Sequence, residues 1–383
     1  MKTIGYLIFA GFYYIYRFFC RVSPKKVFCI MTHDPGRDGN IGALVEYLKD
    51  KKEGYSFHYI KKAERNELKN LRIMKGKVSF FVVKPYHLAT SSFVLLDNVF
   101  LPMAYISFPK RVKVIQLWHG TGTIKRFGQD ANTGRLKILE KRANSRLTHL
   151  IVNSDATKAL YAKAFGVSSG KVYTYGLPRT DILFDKQKLK ERAQEFFVQY
   201  PQLAGKKLIL YAPTFRDDEK EENRAIRDIY KISRSLPDYT ILLRLHPFVT
   251  KAFEEAERKA SQRADNIVSV SSYPEINTLL VVADLLITDY SSVVFEYCLL
   301  HKPMIFYAYD LEEFAKSGRG FYRPYEEYVP GPVAKSMEEL LEIIESKNFS
   351  TDKIQDFIIE HYKYLDGKSS ERIYNNIFKK DNE

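Results

Sequence analysis

Val114-Ile115-Gln116-Leu117-Trp118-His119-Gly120-Thr121-Gly122-Thr123-Ile124-Lys125 begins as a buried-looking strand, stops on a histidine, and continues through glycine and threonine to a lysine. In open parallel sheets ligands collect outside the carboxyl ends of strands, where small residues let an anion approach the backbone. The stretch therefore predicts an α/β protein that presents a base beside an anion site. The plain alternative is a hydrogen-bonded turn in which Trp118 and His119 serve only the fold.

Outward from this stretch the chain alternates β-branched or aromatic runs with helical patterns, as doubly wound α/β proteins do. Val27–Thr32, Lys77–Val83, Val112–Trp118, Leu147–Asn153 and Lys171–Tyr175 read as strands of a first half. Lys207–Ala212, Tyr239–Leu245, Ile267–Val270, Leu285–Thr288 and Met304–Tyr307 read as strands of a second. These patterns predict a domain over residues 23–185, a charged connection at 186–205, a second domain over 206–349 and a helical segment at 350–383. A length of 383 residues suits two ordinary domains, each with its own core.

Cys20, Cys29 and Cys298 have neither the spacing of a disulfide framework nor that of a zinc site, which points to a reducing, cytoplasmic-side setting. The formal charge of +14 predicts attraction to something anionic: nucleic acid, a phosphorylated substrate or an acidic membrane face. The positive residues are spread along the chain and no nucleic-acid motif stands out, so no nucleic-acid partner is expected.

Residues 1–22 favour the membrane. Thr3 to Cys20 is apolar and aromatic apart from Arg17, with Lys2 before it and Arg21, Lys25 and Lys26 after it. At 100° per residue Lys2, Tyr6, Tyr13 and Arg17 form one stripe, and Ile4, Leu7, Ile8, Phe12, Ile15 and Phe19 fill the rest. The reading is an amphipathic interfacial helix on an anionic membrane surface. Rival readings are a terminal helix packed on the body and a short membrane span. Phe19-Cys20-Arg21-Val22 makes a poor signal-peptide cleavage site.

In the second half polar residues end three strands. Leu210-Tyr211-Ala212-Pro213-Thr214-Phe215-Arg216 and Leu243-Arg244-Leu245-His246-Pro247 each carry a proline that stops the ladder. Ile287-Thr288-Asp289-Tyr290-Ser291-Ser292 leads into a helix whose N–H groups could meet an anion, with Glu296 about one turn in, where a carboxylate could accept from ribose hydroxyls. Each has its bland counterpart: an N-cap for the serines and a solvated helix position for Glu296.

Trp118-His119-Gly120-Thr121 with Lys125, Tyr211-Ala212-Pro213-Thr214-Phe215-Arg216, Arg244-Leu245-His246-Pro247 and Thr288-Asp289-Tyr290-Ser291-Ser292 with Glu296 together resemble the CDP-glycerol glycerophosphotransferases of teichoic acid synthesis. By motif the resemblance covers roughly residues 110–335. It implies a GT-B-like fold, two Rossmann-like domains facing across a cleft, with acceptor held by the first and nucleotide by the second. It also implies transfer of glycerol phosphate from CDP-glycerol to a hydroxyl on a lipid-linked saccharide, with release of CMP, peripherally at the cytoplasmic face of the membrane. The chain looks most like the short primases that act on an undecaprenyl-diphosphate disaccharide of N-acetylmannosamine and N-acetylglucosamine. A second priming enzyme, a short poly(glycerol phosphate) polymerase and a CDP-ribitol-using relative are the alternatives within the family.

On this reading His119 is the base that takes the acceptor proton, with Gly120, Thr121 and Lys125 at the acceptor-side anion site. His246 and Arg216 stabilise the transferring phosphoryl group, with Lys125 and Arg244 in support. Ser291, Ser292, Thr214 and Glu296 hold the donor. Asp289 either touches the donor or braces its turn, and Arg319 is a phosphate contact or an exposed loop arginine. No Asp-x-Asp stands where a metal would be wanted, so a metal-independent mechanism without cofactors is expected. Rivals from other classes are a nucleotide-sugar GT-B glycosyltransferase and a non-catalytic basic membrane-binding protein.

Overall fold

The alternation in the sequence yields two parallel sheets of six strands, one in each of two units. The computed structural model describes residues 2–34, 36–62, 78–214, 216, 219–245, 250, 265–317, 320–347, 349 and 351–379. The first unit comprises Met1–Thr121, Arg126–Phe184 and His361–Glu383, and the second comprises Gly122–Lys125 and Asp185–Glu360.

In the first unit helix α1 (Lys2–Phe19) leads into β1 (Ser23–Met31), α2 (Asn40–Asp50) and β2 (Ser56–Lys61). A π-helical turn (Ser79–Val83) runs into α3 (Lys84–Ala89), followed by β3 (Ser91–Leu96) and β4 (Lys113–Gln116). Then come α4 (Gly134–Asn144), β5 (His149–Val152), α5 (Lys158–Phe165), β6 (Val172–Thr174) and a 3₁₀ stretch, Pro178–Phe184. The sheet order is β2-β1-β3-β4-β5-β6, every pairing parallel. Alternate residues Val27, Cys29, Phe93, Leu95, Ile115, Leu117 and Ile151 form one core with Ile41, Leu44, Val45 and Leu48 of α2. Gly166, in the left-handed region at φ 66°, ends α5 where a Cβ would be strained.

The run Lys77–Val83, expected as a strand, is helical where described, from Val78 onward. Its Phe80 ring meets Phe9 of α1 at 5.5 Å between centroids, so packing outweighs the β propensity of Phe-Phe-Val-Val. The central strand is instead β3, buried along its whole length. Helix α1 turns Phe9, Ala10 and Tyr13 into the first unit and leaves Ile4, Leu7, Ile8, Ile15, Phe18 and Phe19 exposed. Tyr13, expected on the polar stripe, faces the body and donates to the Ser107 carbonyl at 3.1 Å. Among the described residues no helix is long and apolar enough to cross a membrane.

The second unit opens with α6 (Lys186–Gln199), capped by the Asp185 carboxylate, which accepts from Lys188 N at 3.0 Å. The stretch expected as an interdomain connection is therefore mostly a helix of this unit. It continues through β7 (Lys207–Ala212), α7 (Glu219–Ser235), β8 (Tyr239–Leu243), β9 (Ile267–Ser269), α8 (Ile276–Val282) and β10 (Leu285–Thr288). After these come α9 (Val293–Cys298), β11 (Met304–Tyr307), α10 (Leu311–Ser317), α11 (Tyr325–Tyr328), β12 (Val333–Ala334), α12 (Met337–Glu345) and α13 (Asp352–His361). The order is β12-β11-β10-β7-β8-β9, again parallel throughout. Ser336 and Glu339 cap α12 reciprocally: the Ser336 hydroxyl accepts from Glu339 N, and the Glu339 carboxylate accepts from Lys335 N.

Two stretches leave their neighbours in sequence to join the other unit. Gly122–Lys125 packs with the second unit, where a Cβ on Gly122 would run into the Phe295 ring and the Thr123 hydroxyl meets that of Tyr328 at 2.9 Å. Lys125 is thus not on the same unit as His119. Residues from His361 onward rejoin the first unit. There α14 (Ser369–Ile373) is capped by Asp181, whose carboxylate accepts from Ser369 N and Ser370 N at 2.8 Å each, and the following turn buries Ile377 and Phe378. Phe378 stacks on Phe93 of the central strand with centroids 4.2 Å apart. Replacing a fully buried Phe costs about 3–5 kcal/mol. Phe378→Ala is therefore expected to lower the unfolding free energy by that order, read as a lower urea midpoint, although it lies five residues from the chain end.

Candidate active site

Both sheets reverse their winding at one point, between β1 and β3 in the first and between β7 and β10 in the second. Such switch points open a crevice at the carboxyl ends of strands. His119 reaches the first of these places, and Thr214, Arg216 and Asp289 lie at the second.

At the first switch point Asp97, directly after β3, accepts from three successive backbone N–H groups beyond β1: Thr32 at 2.9 Å, His33 at 3.0 Å and Asp34 at 2.9 Å. Burial pushes its carboxyl pKa up, and the three N–H groups oppose that rise. The Asp97 carbonyl receives His119 Nδ1 at 2.8 Å. A carbonyl only accepts, so Nδ1 carries the hydrogen and Nε2 keeps the lone pair. The half-buried His119 ring is covered by the ring of His33, stacked with centroids 3.6 Å apart and planes 11° from parallel.

The backbone that delivers His119 is held at every carbonyl from 117 to 120. Trp118 sits in the left-handed region, φ 56°, which a bulky residue adopts only under constraint. Its N–H donates to Gln116 Oε1 at 3.0 Å. Asn40 Nδ2, at the start of α2, donates to the Leu117 and Trp118 carbonyls at 3.2 and 3.0 Å, and Asn40 Oδ1 accepts from Arg179 N. Arg179 Nη1 reaches the His119 carbonyl at 2.9 Å and Asp34 Oδ2 at 3.3 Å. The Tyr161 hydroxyl donates to the Gly120 carbonyl at 3.0 Å.

At the second switch point Asp289, after β10, accepts from Thr214 N at 2.8 Å and from Arg216 Nη1. Arg216 also grips Asp310, after β11, through Nε at 2.9 Å and Nη2 at 2.8 Å, and it donates to the Thr214 carbonyl. Burial lowers the guanidinium pKa, but Asp289 and Asp310 outweigh it and hold the pKa above the ordinary value. Tyr290 donates to Asp310 at 2.8 Å, and Tyr325 donates to the Asp289 carbonyl at 2.9 Å. Asp289 is thus a brace between strand ends, and Arg216 ties three strand ends together. Thr214 Oγ1 is buried and makes no hydrogen bond among the described residues.

The other expected residues fall as follows. Arg244 Nη1 donates to the carbonyls of Val270, Ser271 and Tyr273, fastening the end of β8 to the turn after β9. Ser291 and Ser292 are half-buried ahead of α9, with the Ser291 hydroxyl 3.4 Å from Val293 N. Glu296 is 2% exposed, so it is a buried helix residue rather than a solvated one. Thr121 is buried, and Lys125 bridges to Phe321 with its ammonium 5.9 Å from the Phe314 centroid. His246 and Arg319 lie outside the described residues. Among the described residues no group of three or more His, Cys, Asp and Glu could hold a metal ion.

The profile of the CDP-glycerol:poly(glycerophosphate) glycerophosphotransferases matches residues 12–379. The chain belongs to this family. It is 34% identical to the teichoic acid poly(ribitol-phosphate) polymerase of Bacillus spizizenii over 96% of its own length, but spans only 58% of that polymerase. With the teichoic acid ribitol-phosphate primase of the same organism it shares 36% identity over 75% of each chain. With the teichoic acid glycerol-phosphate primase of Bacillus subtilis it shares 32%, over 79% of this chain and 78% of the primase. The wall teichoic acid polymerase TagF superposes with a TM-score of 0.81 at 25% identity, covering 98% of this chain and 94% of that one.

In this member of the family the sequence reading passed over His33, Asp34, Asn40, Asp97, Arg179 and Asp310. His33 and Asp34 end a recognised strand run and carry the same signal as His119. Asp97 ends β3, which was not read as a strand, so its position gave no cue. Asp310 lies three residues past β11, and Asn40 and Arg179 act through backbone carbonyls that no sequence pattern marks.

His119 favours its neutral form: burial and the adjacent His33 lower its pKa from 6.5 to about 3, Arg179 adds to this, and the Asp97 carbonyl and Asp34 oppose it. The folded value lies below the unfolded one, so this contribution to stability is complete above about pH 6.5 and is lost as pH falls toward about 3. His119→Gln removes the group. Between about pH 7.5 and about pH 5 the urea midpoint of the variant should fall less than that of the wild type. Equal falls would place the acid sensitivity elsewhere.

Proposed function

We propose that the chain transfers glycerol phosphate from CDP-glycerol to a hydroxyl of an undecaprenyl-diphosphate-linked disaccharide, N-acetylmannosamine on N-acetylglucosamine, releasing CMP as a wall teichoic acid primase. The observation that carries the reading is the tautomer of His119, a neutral imidazole with its lone pair on Nε2 at the first switch point. The acceptor hydroxyl gives its proton to Nε2, and its oxygen forms a bond to the glycerol-bearing phosphorus. The phosphoanhydride bond breaks, and its electron pair leaves with CMP. Thr214 Oγ1, without a hydrogen-bond partner among the described residues, suits a donor oxygen, and the Arg216–Asp289–Asp310 knot holds the strand ends around it. Ser291, Ser292 and Glu296 on the donor side, and His246, Lys125, Arg244 and Arg319 as phosphate partners, complete the proposal. The mechanism needs no metal.

The ribitol-phosphate enzymes among the relatives support a second reading, in which CDP-ribitol is the donor. CDP-glycerol, CDP-ribitol and UDP-sugars should be offered in parallel with a synthetic lipid-linked disaccharide in the presence of a chelator. We expect CMP release with CDP-glycerol and a product heavier by one glycerol phosphate. A mass ladder would mean a polymerase, ribitol phosphate the second reading, UDP release a glycosyltransferase, and rescue by magnesium a metal mechanism. His119→Ala should lower kcat by about 10²–10⁴-fold.

The exposed face of α1 supports peripheral attachment to an anionic membrane, with Arg17, Arg21 and Lys25 close in sequence to the apolar residues. Because Phe9 and Tyr13 belong to the core, deleting the helix would disturb the fold. Leu7→Ser with Phe18→Ser and Phe19→Ser tests the surface alone. The triple variant should lose sedimentation with anionic vesicles while keeping the wild-type urea midpoint, and undiminished binding would move attachment to the basic surface of the body.

A further inference from the structure

The ring covering His119 is the least expected feature of the first unit. His33 is exposed, lies two residues past β1, and stacks on His119 at 3.6 Å with the planes 11° apart. Its Nδ1 lies 3.1 Å from Asp34 Oδ1, and the other carboxylate oxygen of Asp34 is held by Arg179 Nη1 at 3.3 Å. The titratable and charged groups around the stack come from three other strand or turn ends besides that of β1: Asp97 beyond β3, His119 beyond β4, and Arg179 from the Pro178–Phe184 stretch.

We propose that His33, steadied by Asp34, is a positioning residue that fixes the plane of the His119 ring and, through its own protonation, decides whether His119 can act as a base. Two imidazolium rings in face-to-face contact repel, so the stack takes up one proton readily and a second only with difficulty. The two rings are unequal hosts for that proton. His119, crowded by protein and held on the Asp97 carbonyl, is the worse one. A proton on His33 then opposes the positive charge His119 must acquire when it takes the acceptor proton, and turnover falls. The acid limb of kcat/KM thus reports the proton on His33.

This inference rests on His119 being the base, and the test separates the two. His33→Phe keeps a ring over His119 and removes the titration, whereas Asp34→Asn keeps both rings and withdraws the anion. We expect His33→Phe to keep kcat/KM within about threefold of wild type on the alkaline side and to move the acid limb down by about one pH unit. Asp34→Asn should move the limb the same way. His33→Ala, without a ring, should lower kcat at every pH, and His33→Phe should restore it. Superimposable profiles for wild type and His33→Phe, with His119→Ala inactive, would overturn the inference and leave the base in place. Wild-type turnover in His119→Ala would overturn the base itself. If the His33 variants do not fold, imidazole ¹⁵N shifts in the wild-type protein decide: His33 should take up its proton at higher pH than His119, and the reverse order overturns the proposal.

Discussion

The first unit turns on one backbone conformation, the left-handed Trp118. A strand running through Gln116 and Leu117 would carry its next side chains onward into the alternation of the sheet. The reversal at Trp118 sends His119 back across the strand end to the Asp97 carbonyl. For a residue with a Cβ this conformation costs roughly 1–2 kcal/mol. It persists because Gln116, Asn40, Arg179 and Tyr161 occupy the polar groups of the turn, leaving an extended alternative with buried carbonyls and no partners. Asn40 is central, since its amide joins the start of α2, the end of β4 and the turn at Arg179.

The two sheets solve the same problem alike. At each switch point an aspartate follows one strand and accepts backbone N–H groups from beyond its neighbour: Asp97 from Thr32, His33 and Asp34, and Asp289 from Thr214. A carboxylate there replaces hydrogen bonds that the ladder can no longer supply, and it holds two loops together without closing the crevice between them. The units differ in what is built on that brace. The first presents an imidazole with a fixed tautomer, and the second an arginine between two carboxylates.

What could be read from the sequence follows from where the signal lies. The parallel architecture and His119 were legible because apolar runs and strand-end polar residues are local patterns. Lys77–Val83 misled because its aromatic and β-branched residues serve α1 packing within a helix, and in the same stroke β3 was missed and Asp97 with it. Arg216 was marked as a phosphate ligand by its place after β7, but its carboxylate partners, Asp289 and Asp310, come from distant strand ends. No spacing rule brings Asp310 to Arg216; only the sheet order does. Lys125 and His119 are six residues apart and read as one motif, yet the packing of Gly122 under Phe295 assigns them to different units.

The low proton affinity of His119 bears on the base role proposed for it. A neutral imidazole at physiological pH is always ready to accept, but a base so reluctant to carry charge is a weak one. The neighbours that depress it are His33, Arg179 and the loss of water; those that support it are Asp34 and the Asp97 carbonyl. Were His119 the proposed base, an anionic group brought near Nε2 would raise its affinity for a proton. On that proposal the base would gain strength as its anionic substrate arrived. Without such an anion the same groups keep the imidazole uncharged, which avoids an uncompensated cation among crowded side chains.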